Sequence, residues 1–202
     1  MLDASQFSGV VLAGGRGTRM GGVDKGLQLY AGVALALHAL RRLAPQVART
    51  MVNANRHLEQ YAQFGAPVWP DVLPDYAGPL AGVVTALQHC STPYLVTVPC
   101  DTPLFPTNLV ARLAAGLVET GSDIAMAFAP ETDSSGQTTL RAQPVFCLMH
   151  VRLLPSLEQF TAQGGRKIDA WTSQHATAKV RFDEPQAFFN ANTMAELHAL
   201  RP

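Results

Sequence analysis

Hydrophobic positions along this chain alternate between short, nearly unbroken runs and helically spaced stripes. The first run, FSGVVLA at 7–13, predicts a buried strand. A stretch of helical length, VALALHALRRL at 33–43, follows it. RTMVN at 49–53 predicts a second strand, HLEQYAQF at 57–64 a helix, and 67–69 a short strand. Leu80, Val83, Val84 and Leu87 have the spacing of an amphipathic helix. YLVTV at 94–98 predicts another strand, and Leu109, Val110, Leu113 and Leu117 mark the next helix. Strands at 123–129 and 143–148 flank a polar tip at 131–139, where Ser134, Ser135, Gly136 and Gln137 suit an exposed turn. A last short strand is expected at 179–182, and Thr193 with Glu196 forms a capping box that opens a terminal helix.

Strands alternating with helices predict an α/β fold whose mostly parallel sheet is covered by helices on both faces. The 123–148 hairpin adds an antiparallel strand. There is no internal repeat and no long linker, so residues 1–202 are expected to form one domain. Composition agrees: at 48% hydrophobic and 15% charged, the chain is not of the disordered class. Fifteen Lys and Arg balance fifteen Asp and Glu, so there is no long-range charge for nucleic acid or an acidic membrane. Three cysteines, Cys90, Cys100 and Cys147, form no C-x-x-C pair and suit reduced thiols of the cytosol. No run approaches the ~18 apolar residues of a membrane helix. The N-terminus lacks the basic start of a signal peptide, so a cytoplasmic location is expected.

The densest chemical signal lies between Gly14 and Gly26, where six of thirteen residues are glycine. This segment directly follows the first predicted strand. Glycines there let backbone N–H groups approach an anion, and Arg16, Arg19 and Lys25 add cations. Such a loop at a strand's carboxyl end suits a nucleoside triphosphate. It is neither a Walker A motif nor G-x-G-x-x-G, because Met20 occupies the third glycine position. Lys25 is one of only three lysines against twelve arginines, which hints that a compact ammonium is wanted there.

Asp101, in VPCDTP, leaves the end of the 94–98 strand and is aimed at the ligand crevice of such a sheet. A hard carboxylate there either helps to hold Mg²⁺ or caps the next helix. Asn53 and Asp71 also end strands, which suits a base edge, a ribose hydroxyl or plain turn chemistry. Gly78-Pro79 opens the helix that follows Asp71. Gly164-Gly165-Arg166-Lys167 is a small basic turn. Asn190 and Asn192, two apart in an extended segment, face the same side. The six histidines make no zinc motif, and no G-x-S-x-G is present.

Taken together, LAGGRGTRMGGVDKGL, PDVLPDYAGPLAGV, VPCDTP, QPVF and FFNANTMAEL resemble the molybdenum cofactor guanylyltransferases. The resemblance runs from the first strand to the terminal helix. Its most specific part is the ordered run Leu12-Ala13-Gly14-Gly15, Arg19-Met20-Gly21 and Lys25. It implies a three-layer, Rossmann-like nucleotidyltransferase fold. It implies transfer of GMP from GTP to the phosphate of molybdopterin, with pyrophosphate released. By this resemblance Leu12, Ala13 and Gly14 contact the nucleotide, while Gly15 and Lys25 hold its phosphates. Asn53, Asp71 and Asp101 complete the GTP site, with Asp101 on Mg²⁺ or, alternatively, Mn²⁺. Lys25 and Asp101 are the implied catalytic pair, and Arg166, Lys167, Asn190 and Asn192 lie toward the pterin. Molybdopterin-delivering proteins and apo-molybdoenzymes are the implied protein partners. One departure is visible: the family's Gly-x-Pro-Leu helix start reads Ala31-Gly32-Val33-Ala34-Leu35 here. Competing expectations are a cytidylyl- or sugar-nucleotidyltransferase of the same fold, or a non-catalytic GTP-binding protein. The last would want the Walker Lys-Ser/Thr pair, which is missing.

Overall fold

In the computed structural model, which describes residues 2–15, 23–73, 78–132, 136–184 and 187–190, strands and helices alternate as the periodicity requires. The strands are β1 (Phe7–Leu12), β2 (Leu29–Tyr30), β3 (Val33–Ala34), β4 (Arg49–Asn53), β5 (Val68–Trp69), β6 (Tyr94–Pro99), β7 (Ile124–Thr132), β8 (Thr138–His150) and β9 (Thr177–Arg181). The helices are α1 (Leu35–Leu43), α2 (Leu58–Ala62), α3 (Pro79–Gln88), α4 (Leu109–Thr120), α5 (Leu154–Ala162) and α6 (Ile168–Thr172). Seven strands form one sheet in the order β5-β4-β1-β6-β8-β7-β9. All neighbours pair in parallel except at β8, which runs antiparallel to both β6 and β7.

Successive strand residues point to opposite faces, and each face is sealed by its own helices. Val11, Val52, Val96 and Leu148 pack beneath α1, α2 and α4 with Leu40, Tyr61 and Leu113. Val10, Met51, Leu95 and Cys147 pack beneath α3, α5 and α6 with Leu80, Leu157 and Trp171. This is the three-layer arrangement, and β1 at its centre is buried on both sides. The chain goes from β1 to β4 and β5 on one side, then returns across β1 to β6. That reversal leaves a crevice at the carboxyl ends of β1, β4 and β6.

Several elements differ from the periodicity. The helix expected at 33–43 begins at Leu35, because Val33 and Ala34 pair with Tyr30 and Leu29 in a small hairpin. Ala34 stands at the N-cap, where the family pattern has proline, and makes no side-chain capping bond. The strands of the hairpin expected at 123–148 run further into its tip, to Thr132 and from Thr138, and the second continues to His150. Its register breaks where Met126 pairs with Cys147 but Ala127 pairs with Gln143, so Pro144, Val145 and Phe146 bulge out of the ladder. Pro144 has no N–H to give to a ladder, and the Thr97 hydroxyl catches the bulge by donating to the Val145 carbonyl at 2.6 Å. Helices α5 and α6 were not foreseen. Arg16, Arg19, Met20, Ser134, Ser135, Asn192 and the Thr193–Glu196 capping box lie outside the described residues.

The β2–β3 hairpin turns on Ala31 and Gly32, with φ of 48° and 77°. Two positive φ angles are what a two-residue turn of this hand requires. An L-residue in this region costs roughly 1–2 kcal/mol, whereas glycine sits there freely but loses more entropy on folding. Ala31→Gly is therefore expected to raise the free energy of unfolding by about 0.5–1 kcal/mol, read by urea denaturation. A lowered stability would contradict this account of the turn.

Candidate functional site

The carboxyl ends of β1, β4 and β6 open into a cavity of about 500 Å³. Leu12, Gly14, Gly15, Asn53, Asp71 and Asp101 are among the residues that line it. The exit of β1 is pinned on both sides. The Ala13 N–H donates to the Asn53 carbonyl at 2.8 Å, and the Cys100 N–H donates to the Leu12 carbonyl at 3.1 Å. A Cβ built on Gly15 would meet nothing within 4 Å, so its backbone borders open space.

Lys25 enters the cavity from a short 3-10 turn, Lys25–Leu27. Asp24 caps that turn, accepting from the Gly26 N–H at 3.1 Å and from the Tyr61 hydroxyl at 2.6 Å. Tyr61 is fully buried, and burial pushes its phenol far above its usual value, so it remains a donor. The lysine Nζ thereby lies 3.3 Å from Asp101 Oδ2. Both side chains keep some exposure, 23% and 19%, so the pair contributes at most about 1 kcal/mol to folding. Its interest is chemical: a cation and a carboxylate stand together at the mouth of a glycine-lined cavity. Cys100 lines the same wall, but burial first, then the Asp101 and Asp24 charges, push its thiol well up. Burial thus keeps this thiol from being a ready nucleophile.

On the opposite wall, Asp71 is gripped by two amides. Asn53 Nδ2 donates to its Oδ1 at 2.8 Å, and Asn55 Nδ2 donates to its Oδ2 at 2.7 Å. The Asp71 N–H returns a bond to Asn55 Oδ1 at 2.8 Å. Asn53 also donates to the Trp69 carbonyl and Asn55 to the Gly14 carbonyl, each at 3.1 Å. This cluster fits only because two side chains are missing beside it. A Cβ on Gly14 would lie 2.9 Å from Asn55 Nδ2, and one on Gly82 would lie 2.3 Å from Asn53 Oδ1. Gly78, with φ 78° and ψ −166°, takes a conformation essentially reserved for glycine and starts α3 at the cavity rim.

The cavity thus brings together Leu12, Ala13, Gly14, Gly15, Lys25, Asn53, Asp71 and Asp101. Asn190 joins them: it lines the cavity and accepts a hydrogen bond from the buried Thr102 hydroxyl, next to Asp101. Arg166 and Lys167 are exposed and line no part of it. The Arg166 guanidinium donates to the Thr161 and Gly165 carbonyls of its own turn. The Arg166 carbonyl does reach the rim, 3.5 Å from a Cβ built on Gly78. Three features were missed in the sequence. Asn55 follows Asn53 at a spacing of two, a doubling that marks a second amide at the same strand end. The bulge at Pro144 is signalled by a proline inside a strand-like run. Gln143, at its start, lines the cavity and donates to Glu131 Oε1 at 2.6 Å.

Residues 9–178 match the family model described as the MobA-like NTP transferase domain. A protein of Acidovorax sp. (strain JS42) named molybdenum cofactor guanylyltransferase is 62% identical, over 99% of this chain and 97% of its own. One of the same name from Albidiferax ferrireducens is 61% identical, over 99% and 98%. The solved structure of molybdopterin-guanine dinucleotide biosynthesis protein A from Archaeoglobus fulgidus superposes with a TM-score of 0.72. It covers 95% of each chain at 21% identity, and so shares the fold.

The close approach at Gly82 makes a sign prediction. Helix propensity alone favours alanine over glycine by about 1 kcal/mol in a helix. The clash with the Asn53 amide reverses this, so Gly82→Ala is expected to lower stability by about 1–3 kcal/mol in urea denaturation. A stabilised variant would show that Asn53 is not held where it is described.

Proposed function

Because this chain belongs to the molybdenum cofactor guanylyltransferase family, we propose that it transfers GMP from GTP to the phosphate of molybdopterin. The products are molybdopterin guanine dinucleotide and pyrophosphate. The chain is a nucleotidyltransferase, and residues 1–202 act as one such domain. The observation that carries the reading is the meeting, in one cavity, of the glycines that follow β1, the Lys25–Asp101 pair and the Asn53–Asp71 cluster.

In the reaction an oxygen of the molybdopterin phosphate bonds to the α-phosphorus of GTP. The bond from that phosphorus to the bridging oxygen breaks, and pyrophosphate leaves in line with the electron pair. A phosphate monoester is already a nucleophile at neutral pH, so no strong general base is required. What the chain must supply is alignment and charge neutralisation. Leu12, Ala13 and Gly14 seat the nucleoside, and the backbone at Gly15 faces the phosphates. Lys25 neutralises charge as pyrophosphate departs. Asn53 and Asp71 hold the base. Asn190, Asn192, Arg166 and Lys167 serve the acceptor side. Asn190 is supported by its place in the cavity beside Asp101, and the other three by the family resemblance alone.

The donor set bears on the metal. Among the described residues no group of three or more His, Cys, Asp or Glu gathers to cage an ion, and Asp101 is the carboxylate that meets Lys25 in the cavity. This fits Mg²⁺, which keeps several waters and takes one or two carboxylates plus substrate phosphate oxygens. Mn²⁺ would satisfy the same donors. Bound by Asp101, such an ion adds positive charge at the triphosphate. Among the described residues no helix is long and apolar enough to cross a membrane. A cytoplasmic location, with molybdopterin-delivering proteins and apo-molybdoenzymes as partners, belongs to the same proposal.

Two measurements test this reading. With molybdopterin and magnesium present, pyrophosphate release is expected to favour GTP over ATP and CTP by at least about 100-fold in kcat/KM, since a site built to pair polar edges rejects bases that leave them unpaired. Equal or faster turnover with CTP would transfer the chain to the cytidylyl alternative. Asp101→Asn keeps the side chain's shape but removes its charge. It is expected to lower kcat/KM by about 100-fold or more, with the melting temperature almost unchanged. Normal turnover with unaltered magnesium dependence would remove Asp101 from the chemistry.

A further inference from the structure

We propose that Asn55 is a positioning residue for base selection: it sets Asp71 so that this wall of the cavity presents hydrogen-bond acceptors only. The inference rests on the GTP reading above and deepens it. Asn55 lines no part of the cavity and acts through Asp71 and Gly14, which do.

The argument is a count of donors. A side-chain amide has two N–H donors and one carbonyl acceptor. Both Asn55 donors are used, on Asp71 Oδ2 and the Gly14 carbonyl, and its oxygen takes the Asp71 N–H. Both Asn53 donors are used as well, on Asp71 Oδ1 and the Trp69 carbonyl. Neither asparagine keeps an amide N–H for a ligand. Each Asp71 oxygen has accepted one amide bond and keeps a further lone pair.

A wall of acceptors pairs with a ligand edge made of adjacent donors. Guanine offers such an edge in N1–H and the 2-amino group. Adenine and cytosine each set an acceptor nitrogen beside their amino group, which would face a carboxylate lone pair. Without Asn55, Asp71 loses the bond on one oxygen and the bond to its own N–H, and the carboxylate is free to turn. Discrimination should then fall more than the fold suffers.

The test is equilibrium titration of the full chain with GTP and with ITP, which lacks only the 2-amino group. No acceptor substrate is present, so failure of the transfer reaction would not disturb the result. Wild type is expected to bind GTP at least tenfold tighter than ITP. Asn55→Ala is expected to bring that ratio close to one, mainly by weakening GTP. Asn55→Asp, which has the same size but no N–H, is expected to do the same. A merely structural role would lower the folded fraction and leave the ratio of the two affinities unchanged. An unchanged ratio in either variant overturns the role of Asn55 while leaving the GTP reading standing. A wild type that does not distinguish the two nucleotides overturns the acceptor wall itself.

Discussion

The site depends on a constraint of distance. A strand buried on both faces must end at an open crevice, and the backbone leaving it must pass within contact of its neighbours. Gly14 passes against the Asn53, Asn55 and Asp71 side chains, and Gly82 leaves room for the Asn53 amide. Were either a larger residue, the amides could not close around the carboxylate. The glycines of this family's motifs are thus as much about what stands beside the loop as about what the loop touches.

Two carboxylates are handled in opposite ways. The Asp71 carboxylate accepts one bond from each of two asparagine amides, and its own N–H donates to Asn55 Oδ1. It acts as a fixed array of acceptors. Asp101 instead faces Lys25 across 3.3 Å in a half-open setting, where charge can be shared with incoming phosphates and a divalent ion. Asp24 belongs to neither group: its partners Gly26 and Tyr61 make it the anchor of the turn that carries Lys25. One cavity therefore has a wall of hydrogen-bonded acceptors and a wall that pairs a cation with a carboxylate, a division that suits the proposed nucleotide.

Most of the sheet and its first four main helices were legible, because buried parallel strands read as apolar runs and their helices as stripes. The small β2–β3 hairpin was hidden because Val33 and Ala34 continue the apolar run of α1. Helix α5 buries only Leu157 and the polar Thr161, and α6 buries Ile168, Trp171 and Thr172 within a single turn and a half, so neither repeats an apolar stripe along the sequence. Asn53, Asp71 and Asp101, singled out by their strand-end positions, and Lys25, singled out in the glycine-rich loop, all line the cavity. The resemblance places Arg166 toward the pterin, while in the structure its guanidinium donates to the Thr161 and Gly165 carbonyls. Asn55 was invisible because its partner Asp71 is sixteen residues away and meets it only when β4 and β5 pair.

The central claim is that the two walls receive opposite ends of one GTP molecule. A crystal structure of the chain with a non-hydrolysable GTP analogue and magnesium tests it most directly. The account predicts the guanine N1 and 2-amino nitrogens within hydrogen-bond distance of Asp71, and the triphosphate between Gly15, Lys25 and Asp101. A nucleotide seated with its base away from Asp71, or with its phosphates away from the Lys25–Asp101 pair, would contradict it.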